Sequence, residues 1–229
     1  MIDYAEQEEN MAVRKVSNRG GNIVGHFPSL KLGRMVAFES LIERDFIYLL
    51  DYDPGVEHFA EQPLTIQYHE ANKKRRYTPD FHVIYRGQPF LCECKPAQFV
   101  ADPQNQIKFA AARLCCQKQG WAFAVVTDAQ LATGWRIANI KLLTQFARYV
   151  IGAETKGRVF AFLAAVAGPV TVADVMQGVN PAAPQAVAIP ILHMAFHHQV
   201  HIPLDDAKIS VNSPITLANP ARERQALLP

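Results

Sequence analysis

Two carboxylates and an amine lie within sixteen residues of one another along the chain. Glu93 and Lys95 stand two residues apart in the stretch L-C-E-C-K-P, and Asp80 immediately precedes the stretch F-H-V-I-Y. Brought together, these groups suit phosphodiester hydrolysis. A carboxylate pair can hold Mg²⁺, a hard ion that prefers oxygen ligands and usually keeps several waters; the ion polarises a phosphate and lowers the pKa of an attacking water. A neighbouring lysine can position that water or offset charge on the phosphorus.

The three groups meet only if residues 81–95 fold back on themselves. Phe81 to Arg86 and Pro89 to Lys95 read as the strands of a hairpin turning at Gly87-Gln88 and halted by Pro96. Alternation puts Glu93 and Lys95 on one face, with Cys92 and Cys94 on the other. A two-residue turn at 87–88 pairs Arg86 with Pro89, which sets Asp80 opposite Lys95 and His82 opposite Glu93, with Cβ atoms about 4.5–5.5 Å apart. Phe81, Val83, Tyr85, Phe90, Cys92 and Cys94 form an apolar rear face that fixes this register. His82 then hydrogen-bonds the Glu93 carboxylate or shuttles a proton, and Tyr77 reads as packing.

Upstream, M-V-A-F-E-S-L-I-E-R-D-F-I-Y-L-L-D-Y (35–52) has apolar residues at helical spacing and closes at Asp53-Pro54-Gly55. Glu39 and Glu43 fall four residues apart on that helix, and so share a face. Glu43 sits beside the core positions Ile42 and Phe46, where a carboxylate wants a partner such as a metal.

The remaining elements complete an α/β (α+β) domain, a mixed sheet flanked by helices. Residues 56–70 supply one or two strands broken at Pro63. A helix runs from Asp102-Pro103 to Gln119, with Asp102 as N-cap and Gly120 as stop. W-A-F-A-V-V-T-D is a buried strand, and 130–150 is helical again. Beyond Ile151 the texture turns alanine-rich and charge-poor. A helix over 157–167, a second N-capped by Thr171, a third within 184–198 and a hairpin around Asp205-Asp206 predict a winged-helix domain, with an irregular tail from Pro214. The expected division is a basic arm over 1–34, a nuclease domain over 35–150 and the winged helix with its tail over 151–229.

At 229 residues and 49% hydrophobic content the chain has ample core, while a formal charge of +2 makes any nucleic-acid footprint local. Lys73, Lys74, Arg75 and Arg76 directly before the hairpin, with Arg14, Lys15, Arg19, Lys31 and Arg34 in the arm, are candidate phosphate contacts. The four cysteines lack zinc spacing and read as small buried side chains. His193 and His197 share a helical face, but without cysteine or acidic companions they read as polar decoration rather than zinc ligands. Neither a secretory signal nor a membrane span is visible, so the expectation is cytoplasmic.

Pro79-Asp80 followed by Glu93-x-Lys95 resembles the PD-(D/E)xK nuclease signature of restriction-endonuclease-like folds. Together with R34-M-V-A-F-E-S-L-I-E-R-D-F-I-Y-L-L, F59-A-E-Q-P, R76-Y-T-P-D-F and L91-C-E-C-K-P, it makes residues 12–150 resemble the catalytic domain of TnsA-type transposon endonucleases, including those of CRISPR-associated elements. The resemblance implies a bacterial enzyme that cuts the non-transferred (5′) strand at transposon ends with Mg²⁺, for which Mn²⁺ substitutes. Its implied partners are transposon-end DNA, a TnsB-type DDE transposase and a TnsC-type AAA+ regulator. Asp80, Glu93 and the backbone carbonyl of Cys94 are the implied ligands and Lys95 the implied catalytic lysine. Glu43 matches the family's helix carboxylate, with Glu39 as fallback, and Gln62 is a supporting group or a strand cap.

The winged helix resembles its family counterpart in layout more than in motif. Residues 184–200 contain no Lys or Arg, which favours a protein-docking role over a grip on DNA. Two other function classes stay open: an autonomous PD-(D/E)xK restriction or junction-resolving nuclease, and a DNA-binding adaptor with an inactive nuclease core.

Overall fold

The computed structural model describes residues 23–71 and 73–219, which form two compact units dividing between Leu131 and Ala132. The expected boundary at 150 lies well inside the second unit. Residues 130–150 do not continue the nuclease core as expected: a bend at Thr133-Gly134 separates the short helix α3 (Asp128–Leu131) from the helix α4 (Arg136–Thr144), which packs on C-terminal elements. Arg14, Lys15 and Arg19 lie outside the described residues.

The first unit opens with a hairpin of β1 (Gly25–Pro28) and β2 (Met35–Phe38), followed by helix α1 (Leu41–Tyr52). The apolar spacing predicts a helix from Met35. Residues 35–38 instead bury Val36 and Phe38 in alternation, the period of a strand, and Phe38 lays its ring across Gly25, where a Cβ would come within 2.5 Å of it. Ser40 is the N-cap, its hydroxyl accepting from Glu43 N–H, so Glu39 precedes the helix instead of sharing a face with Glu43. The loop between β1 and β2 is no free arm. Asp51 of α1 accepts from the Ser29 hydroxyl and from the backbone N–H groups of Leu30 and Lys31 at 3.2 and 3.0 Å.

A four-stranded mixed sheet forms the centre of this unit, in the order β3 (Val56–Glu61), β6 (Phe81–Tyr85), β7 (Gln88–Lys95), β8 (Ala122–Thr127). The first three strands are antiparallel neighbours, while β8 runs parallel to β7 after the crossover helix α2 (Pro103–Gln119). Asp102 caps α2 through Gln104 N–H, and Gly120 ends it at φ 71°, as the sequence predicts. Between β3 and β6 the chain makes a separate two-stranded ribbon, β4 (Ile66–Glu70) and β5 (Lys73–Tyr77).

Both faces of the sheet are covered. Phe46 of α1 meets Phe81 edge-on at 5.6 Å, and Leu91 on the opposite face packs with Ala112 and Cys116 of α2 and with Ile66 and Tyr77 of the ribbon. The fold is thus a mixed sheet flanked by helices, consistent with a restriction-endonuclease-like architecture.

In the second unit, α5 (Ala153–Ala165), β9 (Val170–Thr171), α6 (Val172–Val179) and α7 (Ala188–Phe196) precede β10 (Val200–His201) and β11 (Pro214–Leu217). Thr171 and Asp174 form a reciprocal capping box at the start of α6. Pro214–Leu217, expected as irregular tail, is the middle strand of the sheet β10-β11-β9. The expected hairpin around Asp205-Asp206 is instead a wide loop between β10 and β11. Buried Asn139 of α4 pins that loop, donating to Leu204 O and Ala207 O at 2.8 Å each and accepting from Ile209 N–H at 2.9 Å. His193 and His197 contact the backbone carbonyls of Phe146 and Ala147, at 3.2 and 2.8 Å. These bonds give both imidazoles a structural role.

Candidate active site

The turn between β6 and β7 decides which groups face one another. It consists of Arg86 and Gly87, with φ of 50° and 74°, so Tyr85 pairs with Gln88 and His82 with Leu91. Two positive φ values define a type I′ turn, whose twist suits a hairpin even with arginine in its first place. The expected register, with the turn at Gly87-Gln88, is therefore off by two residues. A two-residue shift keeps every side chain on its expected face but changes its neighbour. Asp80 falls one rung beyond the Phe81–Cys92 pair, beside Glu93 instead of Lys95, and His82 is not opposite Glu93.

Asp80 closes the gap by its side chain. Its Oδ2 accepts from Cys94 N–H at 2.7 Å, taking up a donor that lies past the end of the β6 ladder. In a strand the N–H and C=O of one residue point toward the same neighbour, so the Cys94 carbonyl is directed to the same edge. Glu93, 4% exposed, is held at both oxygens: Tyr77 Oη donates to Oε2 at 2.7 Å, and Lys95 Nζ lies 3.1 Å from Oε1.

Glu43 enters from the first turn of α1. Its carboxylate accepts from Glu39 N–H and from the Ser40 hydroxyl, each at 2.8 Å, which locks the side chain back over the helix start. Glu39 instead accepts from Gln62 Nε2 at 3.1 Å. Gln62 makes two contacts here: its backbone N–H donates to Asp80 O at 2.8 Å, extending the β3–β6 ladder by one rung, and its amide donates to Glu39. It does so at φ 46°, with Oε1 buried and lacking a hydrogen-bond partner.

The charges at this end of the sheet act on one another. Burial, then the negative charges of Glu93 and Glu43, push the Asp80 carboxyl well above its ordinary range; the Cys94 N–H and Lys95 pull the other way. Burial likewise raises Glu43; its two hydrogen bonds oppose the rise, while Glu39 and Glu93 add to it. Carboxylates crowded with so little compensation are short of positive charge. Among the described residues, no three His, Cys, Asp or Glu side chains form a ready metal cage. Such a cage is not needed for Mg²⁺, which is commonly held by one or two carboxylates together with waters and substrate phosphate. The hard oxygen donors of Asp80 and Glu93 and their charge deficit fit that ion.

The other predicted residues divide clearly. Lys73, Lys74, Arg75 and Arg76 are all exposed on β5. Lys31 and Arg34 have other partners: Lys31 Nζ donates to the carbonyls of Asp53 and Val56, with burial lowering its pKa to about 8, and Arg34 makes a two-pronged pair with Glu61 at 2.7 Å. His82 is buried against Trp121, with ring centroids 4.5 Å apart, and burial pushes its pKa down to about 4. Cys92, Cys94 and Cys116 are buried free thiols, while Cys115 is partly exposed. Tyr77 packs in the core as expected, but sequence reasoning missed its hydrogen bond to Glu93, whose signal is an aromatic at the inward position of an otherwise cationic strand.

Residues 53–128 match the family model described as the TnsA-like endonuclease N terminal domain. No curated protein matches the sequence. The matched stretch, about a third of the chain, includes Gln62, Tyr77, Asp80, Glu93 and Lys95 and begins after α1, outside which Glu39 and Glu43 fall. The match supports a transposition-related nuclease. Among the described residues, no helix is long and apolar enough to cross a membrane.

Proposed function

We propose that this chain is a Mg²⁺-dependent DNA endonuclease of the bacterial cytoplasm that cuts the non-transferred strand at transposon ends, working with a TnsB-type DDE transposase and a TnsC-type AAA+ regulator. The observation that carries the reading is the meeting of Asp80, Glu93 and Lys95 at one end of the β6–β7 hairpin, with Glu43 close enough to add its charge. Asp80, Glu93 and the Cys94 carbonyl would hold the ion, with Glu43 completing the acidic side. When bound, Mg²⁺ supplies polarisation of the scissile phosphate and a more acidic water. Lys95 carries positive charge at the mouth of the site, its side chain 24% exposed, where it can reach a phosphate oxygen or hold a water proton.

The β4–β5 ribbon is the DNA contact this reading favours. Ile66 and Tyr77 face inward as a pair, so alternation turns Gln67, His69, Lys74 and Arg76 to the outer face. A two-stranded ribbon has the width that a major groove admits. Lys74→Ala and Arg76→Ala are each expected to weaken DNA binding evenly across sequences and to lower the salt slope by about one. Arg75→Ala, which removes a side chain already paired with Glu70 at 3.0 Å, should do less. Fluorescence anisotropy across a salt series measures both quantities.

We read the second unit as a winged helix and assign it to protein docking, because α7 carries no Lys or Arg. The test of the whole reading combines transposon-end DNA, transposase, regulator and Mg²⁺, with wild type or Asp80→Ala. Loss of the non-transferred-strand cut alone supports it. Equal cutting by both proteins removes the assignment, and efficient cutting by wild type without partners points to an autonomous nuclease.

A further inference from the structure

We infer that Tyr77 is a positioning residue for the metal site, acting through Glu93; the inference rests on the proposed function of that site. Its ring is fixed in the cluster of Ile66, Leu91, Ala112 and Cys116, and its hydroxyl donates to Glu93 Oε2 at 2.7 Å. With the Lys95 ammonium paired at 3.1 Å from Oε1, each oxygen of Glu93 faces one protein group and keeps lone-pair capacity for an ion. A glutamate has three side-chain torsions to settle, and a donor on a rigid ring settles the last of them before any ligand arrives. Groups that orient a ligand in this way set metal affinity without touching the ion.

The placement also gives the ribbon two tasks. Arg76 and Tyr77 are adjacent on β5 and point to opposite faces, one toward the proposed DNA contact and the other into the site. The strand that meets the duplex is therefore the strand that orients Glu93.

The experiment measures Mn²⁺ binding to the full chain by electron paramagnetic resonance of free Mn²⁺, for wild type, Tyr77→Phe, Glu93→Gln and the double variant. Phenylalanine keeps the ring in its cluster, and a cooperative melt in EDTA verifies the fold of each protein. Tyr77→Phe is expected to weaken Mn²⁺ binding about tenfold or more, and to add less than about twofold in the Glu93→Gln background. Excess Mn²⁺ should restore cleavage by Tyr77→Phe. Equal affinity of wild type and Tyr77→Phe, or an undiminished penalty in the Glu93→Gln background, overturns the positioning role while leaving the metal site standing. Absence of Mn²⁺ binding by wild type overturns both.

Discussion

Lys95→Ala should slow cleavage by about 10²–10³-fold while leaving divalent-cation binding largely in place. Lys95 is no metal ligand; its ammonium lies 3.1 Å from Glu93 and on the exposed side of it, so the variant removes a positive charge from the reacting end without deleting an oxygen donor. The expected split is therefore a fall in the single-turnover rate at saturating Mg²⁺ with little change in the Mn²⁺ dissociation constant. Lys95→Arg should not recover the rate. A guanidinium is a planar fork of fixed donors, whereas the site offers a point charge next to one carboxylate oxygen. If both variants cut at the wild-type rate, the lysine is a structural counterion for Glu93 and nothing more.

Much of this site can be read from residue types alone, because alternation along a strand is insensitive to a two-residue slip. Asp80, Glu93 and Lys95 come together even though the turn is Arg86-Gly87 and not Gly87-Gln88. The sequence favours glycine in the first place of a tight turn, and an arginine at φ 50° leaves no local mark. The start of α1 is hidden for a related reason: Phe38 fits the helical spacing to 41 and 42 as well as the strand alternation with Val36, and only the Ser40 cap separates the two. Lys31 and Arg34 look like free cations until Asp53, Val56 and Glu61 are brought in from later in the chain. No local pattern encodes such pairings. The unit boundary escapes notice because nothing in the residues of α4 marks which unit it joins, and the partners of Asn139 lie some seventy residues further along.

Asp80→Asn is expected to abolish cleavage and yet make the metal-free protein more stable near neutral pH. Burial and the charges of Glu93 and Glu43 hold the Asp80 carboxyl above its ordinary range, so the native state binds that proton more tightly than the unfolded chain does. Stabilisation from the proton is complete below about pH 4, where both states are protonated, and is lost as pH rises through the elevated native value. Above it, the ionised group is a cost that asparagine removes. Asparagine can still accept from Cys94 N–H through its side-chain oxygen, which preserves the bond closing the hairpin. A gain on the order of 0.5–2 kcal/mol in EDTA at pH 7–8 is the expected size, shrinking as the pH is lowered toward 4. Divalent ions should reverse the order. At a metal concentration a hundred times its dissociation constant, wild type gains about 2.7 kcal/mol, whereas the variant, lacking one anionic ligand, gains much less. Thermal melts at several pH values, with and without Mn²⁺, measure both effects. Should wild type be the more stable protein in EDTA at neutral pH, the carboxylates are compensated by the fold itself, and the charge deficit that makes the site fit a cation is absent.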